Sequence, residues 1–239
     1  MATVAATVIV GWRLPPTEEQ AGYARLIAVH PALAWTAYLA FGVMALGSLL
    51  YLVPATRSRR WDRLAGASGE VGVVFTALML VTGSIWGKPT WGTWWVWEAR
   101  LTLSALMLAL LFGYVALRKV DMDVDRRAVI SAVTGIAAVL VVPVNHFAIT
   151  WWRTQHQGRS AATMAPSSNL DGSYIRAMFL GMVAMTLSYA WLLVQRIRVE
   201  ALEEERQGHE LSLALAERRA EGASLAGPSP AEPDVGVRS

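Results

Sequence analysis

The sequence predicts an all-α fold, a polytopic bundle of helices that crosses a membrane several times. Hydrophobic residues make up 54% of the 239 positions and charged residues only 16%, which is below the roughly 25% charged fraction of soluble domains. The apolar residues lie in long runs, and a spanning helix needs about 20 of them. These runs lack the alternating pattern of outer-membrane strands, so a helical bundle is favoured over a β-barrel.

Five runs are long enough to be complete spans, and a shorter one precedes them. Met1–Trp12 is apolar but would cross only about 18 Å of a core about 30 Å thick. We therefore expect six spans, of which the first is truncated. A signal peptide is the alternative, but no basic residue precedes this run. The complete runs are Ala32–Val53, Leu64–Ile85, Leu101–Leu117, Ala128–Phe147 and Ile175–Val194.

Basic residues predict which way the bundle is oriented. They follow the first, third and fifth complete spans, and the positive-inside rule makes those connections cytoplasmic. The net charge of +3 therefore reports topology and gives no reason to expect nucleic acid as a partner. The connections 86–100 and 148–174 then face the outer, periplasmic side of an inner membrane. The basic residues are Arg57, Arg59, Arg60, Arg63, Arg118, Lys119, Arg126, Arg127, Arg196 and Arg198.

Three regions are predicted along the chain. Residues 1–22 are the partial first helix and an outer connector. Residues 23–196 are the transmembrane bundle, with a tryptophan-rich outer loop at 84–102. Residues 197–239 are a cytoplasmic tail, helical at first and disordered in its proline-containing end. Cysteine is absent, which excludes thiol–disulfide chemistry and an iron–sulfur cluster held by this chain.

Tryptophan is concentrated in the outer loop far beyond the needs of a packed core. Five indoles lie between positions 86 and 97, interspersed with glycine and one proline. A rigid aromatic platform that binds a partner explains this density. An aromatic belt at the membrane interface is the alternative, but a belt spreads its rings over many helix ends. The five are Trp86, Trp91, Trp94, Trp95 and Trp97.

Two histidines are predicted at the same membrane surface as the indoles. His30 lies where the outer connector meets the first complete span, and His156 lies just beyond the outer end of the fourth. A neutral imidazole is a good ligand for iron. Two of them on opposite faces of a porphyrin, beside the indoles, would form a b-type haem site. His146 is the alternative ligand, although an intramembrane histidine is more often bonded within a bundle.

These segments resemble those of a known family. The stretch TGSIWGKPTWGTWWVWEARLT is similar to the tryptophan-rich "WWD" segment of the CcmC family, a branch of the haem-handling protein superfamily in bacterial cytochrome c maturation. VHPALAW and PVNHFAITWWRTQHQG resemble the two histidine motifs of that family. The resemblance covers about Gly22 to Val194. Two departures are Glu98, where the motif usually has aspartate, and Gln155, where it usually has leucine.

The resemblance implies a haem-delivery protein. Its axial ligands would be His30 and His156, and haem b would be held transiently, as cargo, on the indole platform. Glu98 belongs to the same tryptophan-rich segment. Arg100 could pair with a haem propionate; the alternative is that its side chain contacts lipid or is solvated. Family members work in the bilayer with the haem chaperone CcmE, with CcmD and with the CcmAB ATPase complex. They are not expected to be enzymes, and a lyase-like role in loading CcmE is left open.

Other functions predict features that differ from these. A cytochrome c synthetase or haem lyase of the CcsA/ResC or CcmF type would carry further histidines in the bundle or a large outer domain. A haem-exporting transporter would carry intramembrane charge and broken helices at the midplane. A purely structural subunit would leave the indole segment unexplained. We therefore expect haem binding and transfer.

Overall fold

A computed structural model describes residues 2–16, 22–156 and 172–225, and every regular element within these ranges is a helix. The chain divides into two compact units, residues 1–197 and residues 198–239. Five helical segments in the described part are long and apolar enough to cross a membrane, so the predicted all-α, multi-pass fold is confirmed. The elements are α1 (Ala2–Trp12), a 3-10 helix (Gly22–Ala28), α2 (His30–Leu52), α3 (Arg59–Trp91), α4 (Ala99–Leu117), α5 (Val124–Val139), α6 (Val141–Trp151) and α7 (Gly172–Leu225).

Helices α2 and α3 form the most extensive pair in the bundle. Small residues permit their close approach, since a Cβ atom on Gly47 would lie 2.9 Å from the backbone oxygen of Trp61. The buried Ser68 hydroxyl donates to the Ala40 carbonyl at 2.8 Å. Small residues and interhelical hydrogen bonds replace the hydrophobic driving force that is missing between helices in lipid. The pair therefore provides a rigid scaffold for the residues at its two ends.

The fourth predicted span consists of two helices. Helix α5 ends at Val139 and α6 begins at Val141. Pro143 explains the break, because proline lacks an N–H and its ring would collide with the carbonyl four residues earlier, that of Val139. Together the two helices still form one apolar segment of spanning length, Val124–Trp151.

Ion pairs join the helices where α3 begins, and we call this end of the bundle the arginine end. Arg118, at the end of α4, lies 2.6 Å from Asp62 in the first turn of α3. Arg59 lies 3.1 Å from Asp125 in the first turn of α5. In α7, the Nη2 atom of Arg196 donates to Oε1 of Glu70 at 3.1 Å. Arginines from the three basic groups in the sequence therefore share one end of the bundle.

Close backbone contacts surround the start of α2. Pro31 occupies its first turn, where the missing N–H costs nothing. Helix α7 crosses the preceding 3-10 helix so closely that a Cβ atom on Gly181 would lie 1.8 Å from the Ala28 carbonyl oxygen. The Tyr174 hydroxyl of α7 donates to the Pro15 carbonyl. The position of His30, two residues after Ala28, is thus set by backbone rather than by flexible side chains.

Candidate functional site

The other end of α3 brings the predicted site residues together, and we call it the histidine end. It comprises the start of α2 with His30, the last turns of α3, the irregular segment Gly92–Glu98, the start of α4, and residues 152–156 after α6. Contacts between these elements, described below, join His30 to α3 and join His156 to both the last turn of α3 and the start of α4.

The tryptophan-rich stretch 84–102 differs from the single outer loop that the sequence predicts. Helix α3 continues to Trp91, so Trp86 and Trp91 lie on its last turns. Pro89 is accommodated within the helix, and α3 ends only at Gly92, whose φ of 78° is left-handed and suits glycine. The irregular part is therefore Gly92–Glu98, and α4 begins at Ala99.

His30 is held in a slot on α3. Its Nδ1 atom lies 3.0 Å from Oγ1 of Thr82, and that hydroxyl donates to the Leu78 carbonyl at 2.8 Å. A Thr82 hydroxyl that donates to this carbonyl is suited to accept from Nδ1–H of His30, and that tautomer places the lone pair on Nε2. The next residue, Gly83, leaves room for the ring, since a Cβ atom there would lie 2.8 Å from Cε1 of His30. Trp86 meets the ring edge-on at a centroid distance of 5.8 Å.

His156 lies against different groups. Its ring is 5.0 Å from that of Trp91 at an angle of 61°, and its Nδ1 atom is 3.1 Å from Oε1 of Glu98. Burial is the main cause that lowers the pKa of His156 to about 3, with smaller contributions from Arg100 and His30. The neutral imidazole, which is the form that binds iron, is therefore favoured.

Glu98 caps α4 and contacts His156 with the same oxygen. Its Oε1 atom accepts a hydrogen bond from the backbone N–H of Leu101 at 2.9 Å, as expected of a residue that precedes the first helical turn. Burial raises the pKa of the Glu98 carboxyl, while the Leu101 N–H and the Arg100 charge act in the opposite direction. The longer side chain at the usual aspartate position therefore makes the helix N-terminal hydrogen bond.

Arg100 and Asn145 connect α4 to α6. The half-buried Arg100 lies close enough to His156 and Glu98 to lower the pKa of both. Its carbonyl accepts from Nδ2 of Asn145 at 3.0 Å, and that amide also donates to Ser104. The hydroxyl of Tyr38 donates to Oδ1 of Asn145 at 2.5 Å. Asn145 thus fixes the start of α4 relative to α6.

The remaining indoles are not brought against the histidines. Trp94 and Trp97 are 56% and 77% exposed, and Trp95 packs edge-on against Trp97 at 5.5 Å. Among the described residues, neither Trp94 nor Trp97 makes a ring contact with His30 or His156. These two indoles therefore present an open aromatic surface beside the site.

Three buried polar atoms at the histidine end are unsatisfied. Nε1 of Trp95, Oε2 of Glu98 and Nδ1 of His156 have no hydrogen-bond partner among the residues that the structure describes, although Nδ1 of His156 lies 3.1 Å from Oε1 of Glu98. Buried polar groups are nearly always paired. Three such atoms at one end of the bundle are consistent with a site that binds a molecule the chain does not supply.

Sequence reasoning missed three residues that shape the site. Thr82, Gly83 and Asn145 orient or accommodate the proposed ligands, and the polar residues could have been suspected because polar groups within spans are rarely idle. His146 instead packs edge-on against Tyr38 and Phe147. Within the described ranges, no cluster of three or more metal-ligating side chains exists.

The described residues define a class: a multi-pass helical membrane protein with paired histidines and exposed indoles at one end of its bundle. Residues 1–212 match the family described as CcmC: Heme exporter protein C, and the chain belongs to this family.

Named relatives agree with this assignment. The chain is 34% identical over 199 residues to Heme exporter protein C of Haemophilus influenzae, covering 83% of this chain and 80% of that protein. It is 34% identical over 206 residues to the protein of the same name from Bradyrhizobium diazoefficiens, covering 86% and 76%. The protein from Escherichia coli K12 is 36% identical over 152 residues, 63% and 61% of the two chains. Family membership supports a role in haem handling for cytochrome c maturation, with haem as cargo.

Proposed function

We propose that this protein binds haem b between His30 and His156 and delivers it to the haem chaperone CcmE. The carrying observation is that Nδ1 of His30 lies 3.0 Å from Oγ1 of Thr82 and Nδ1 of His156 lies 3.1 Å from Oε1 of Glu98. Polar groups on the Nδ1 side of both rings would leave Nε2 as the atom that binds iron. Two such imidazoles at one end of a bundle suit the two axial positions of a haem iron.

The neighbouring residues would hold the porphyrin and not the iron. Trp86 and Trp91 contact the two imidazoles, so their indoles are suited to pack beside a planar ring. Arg100 is a half-buried cation near His156, and a guanidinium pairs well with a propionate. Trp94, Trp95 and Trp97 would form the surface from which haem passes to CcmE. No bond of the porphyrin needs to be made or broken, so we propose a binding and transfer protein rather than an enzyme.

The histidine end would face the periplasm. The arginine end carries the basic connections, which the positive-inside rule assigns to the cytoplasm, and the C-terminal tail would lie there too. CcmD and the CcmAB ATPase complex would be its partners in the inner membrane. This follows from the family relationship and not from contacts within the chain.

Ligand replacement tests the haem site. We expect His30→Ala and His156→Ala each to lose most of the bound haem and its low-spin spectrum, and to stop haem transfer to CcmE. His146→Ala is the matched control, because the ring contacts of His146 among the described residues are with Tyr38 and Phe147. Unchanged haem content and transfer in both ligand variants would refute the assignment. Covalent attachment of haem to an apocytochrome by this chain alone would instead support a synthetase.

Cysteine labelling tests the orientation. The chain contains no cysteine, so single replacements at Thr93 and at Ser58 can be probed without background. We expect a membrane-impermeant maleimide added to the outer face to label position 93 and to spare position 58 until the membrane is opened. The reverse pattern would place the histidine end in the cytoplasm.

A further inference from the structure

Glu98 is the only carboxylate among the described residues that contacts either proposed ligand. Its side chain is 8% exposed, and Oε1 lies 3.1 Å from Nδ1 of His156 and 2.9 Å from the backbone nitrogen of Leu101. One oxygen therefore joins the residue after α6 to the first turn of α4. A helix cap needs only the second contact, so the contact with His156 requires a separate explanation.

We propose that Glu98 is a positioning residue that orients His156 through Nδ1 and makes it the stronger electron donor of the two axial ligands. This inference rests on the proposed haem site. Nδ1 of His156 is buried without a hydrogen-bond partner among the described residues, so the carboxylate 3.1 Å away is the group placed to accept from it once the ring binds iron. A carboxylate that accepts from the Nδ1–H group of a ligating histidine fixes the tautomer and ring orientation and raises the basicity of Nε2. His156 would then direct Nε2 toward the iron, with Trp91 limiting rotation of the ring.

His30 supplies the internal comparison. The group that accepts from its Nδ1 is the neutral hydroxyl of Thr82, which itself donates to the Leu78 carbonyl. A neutral acceptor polarises the imidazole less than a carboxylate, because hydrogen bonds to ionised groups are roughly twice as strong. The two axial ligands are therefore chemically unequal, and Glu98 is the source of the inequality.

Three substitutions separate positioning from capping. Glu98→Gln keeps the length of the side chain and removes its charge. Glu98→Ser keeps a good helix cap but is too short to reach His156. Glu98→Asp keeps the charge and can cap α4. Glu210→Gln, in an exposed pair with Arg206, is the control for loss of a carboxylate elsewhere.

The readouts are the midpoint reduction potential and the low-spin electron paramagnetic resonance signal of haem bound to the full-length protein, with thermal unfolding measured beside them. We expect Glu98→Gln to raise the potential and to shift the g-values toward those of two neutral imidazoles, at nearly unchanged haem content. Glu98→Ser should unfold near the wild-type temperature yet bind haem about 10- to 100-fold more weakly, the usual effect of losing such a partner. Glu98→Asp should lie closest to wild type.

The inference is overturned if Glu98→Gln and Glu98→Ser keep the wild-type potential, g-values and haem affinity. It is also overturned if Glu98→Ser loses thermal stability and haem together while Glu98→Gln changes nothing, because Glu98 would then be a cap alone. The His156→Ala variant separates this failure from that of the proposed function. If His156→Ala retains the native haem signal, the ligand assignment itself is wrong, whatever the Glu98 variants do.

Discussion

His30 and His156 lie at the same end of the bundle, but different kinds of structure hold them. His30 begins α2 and fits against Gly83 and Thr82 of α3, and the residues just before it are crossed closely by α7 at Gly181. His156 follows α6 in an irregular segment and contacts the side chains of Trp91 and Glu98. His30 is thus held mainly by helix backbones, and His156 by side chains.

The difference has a consequence for a protein that must both hold and release its cargo. Helix backbones packed through glycine cannot shift without moving whole helices, whereas side chains change rotamer at small cost. Substitutions that add a Cβ atom to the backbone contacts around His30 should therefore act through packing and disturb the helices themselves. Substitutions around His156 should leave the packing of the helices intact.

Adding a methyl group at Gly181 should have the largest effect. A Cβ atom there would lie 1.8 Å from the Ala28 carbonyl oxygen, so Gly181→Ala must separate α7 from the start of α2. We expect a loss of more than about 3 kcal/mol in the free energy of unfolding, beyond the usual range for overpacking, measured by denaturation in detergent. Gly42→Ala is the control, because a Cβ atom on Gly42 meets nothing within 4 Å. An equally stable Gly181→Ala variant would show that this contact does not fix His30.

Gly83→Ala should disturb His30 without unfolding the bundle. The added Cβ atom would lie 2.8 Å from Cε1 of His30, and the ring must leave its slot. Overpacking of this kind costs about 1–3 kcal/mol, which corresponds to a roughly 5- to 150-fold loss of haem affinity. Haem titration of purified protein measures it, and the signal that remains should resemble that of His30→Ala. Wild-type affinity in Gly83→Ala would mean that the ring of His30 need not occupy this slot to bind haem.

Trp91→Leu should weaken the His156 side by a smaller amount. Leucine keeps an apolar side chain but removes the ring contact at 5.0 Å, and such aromatic contacts are worth about 0.5–1.5 kcal/mol beyond their buried area. We expect a loss of haem affinity of at most about tenfold. Trp97→Leu is the control for affinity, since this indole is 77% exposed, and it should instead slow transfer to CcmE. Equal affinity losses in the two variants would contradict the distinct roles assigned to them.

The overall fold was predictable because a helix that crosses a membrane needs a long, nearly uninterrupted run of apolar residues. Apolar runs of spanning length predicted the number of complete spans, and α2 and α4 lie where those runs place them. The length of α3 was not predictable by the same reasoning. This end of the helix contains three residues of helix-breaking type, Gly87, Pro89 and Gly92. Only Gly92 ends the helix, because α3 tolerates a proline near its last turn. The predicted disorder of residues 227–239 lies outside the described residues.

The candidate site was predictable in its residue types but not in its connections. His30, His156 and the indoles were identified from their clustering and from a family resemblance. Their partners were missed, because Thr82 and Gly83 meet His30 only after α2 and α3 have packed. Pairings across helices depend on tertiary packing, which periodicity within one helix does not encode.

Thr82→Val should give the smallest effect and should reveal how much of the hold on His30 is polar. Valine fills nearly the same volume beside the ring but removes the oxygen that lies 3.0 Å from Nδ1. A hydrogen bond of this kind contributes about 1 kcal/mol, so we expect haem affinity to fall by only about fivefold. Thr82→Ser should restore it. A loss as large as that of Gly83→Ala would show that the hydroxyl, and not the shape of the slot, holds His30. Each histidine would then depend on one polar side chain of its own, Thr82 for His30 and Glu98 for His156. The two would differ only in the charge of that side chain.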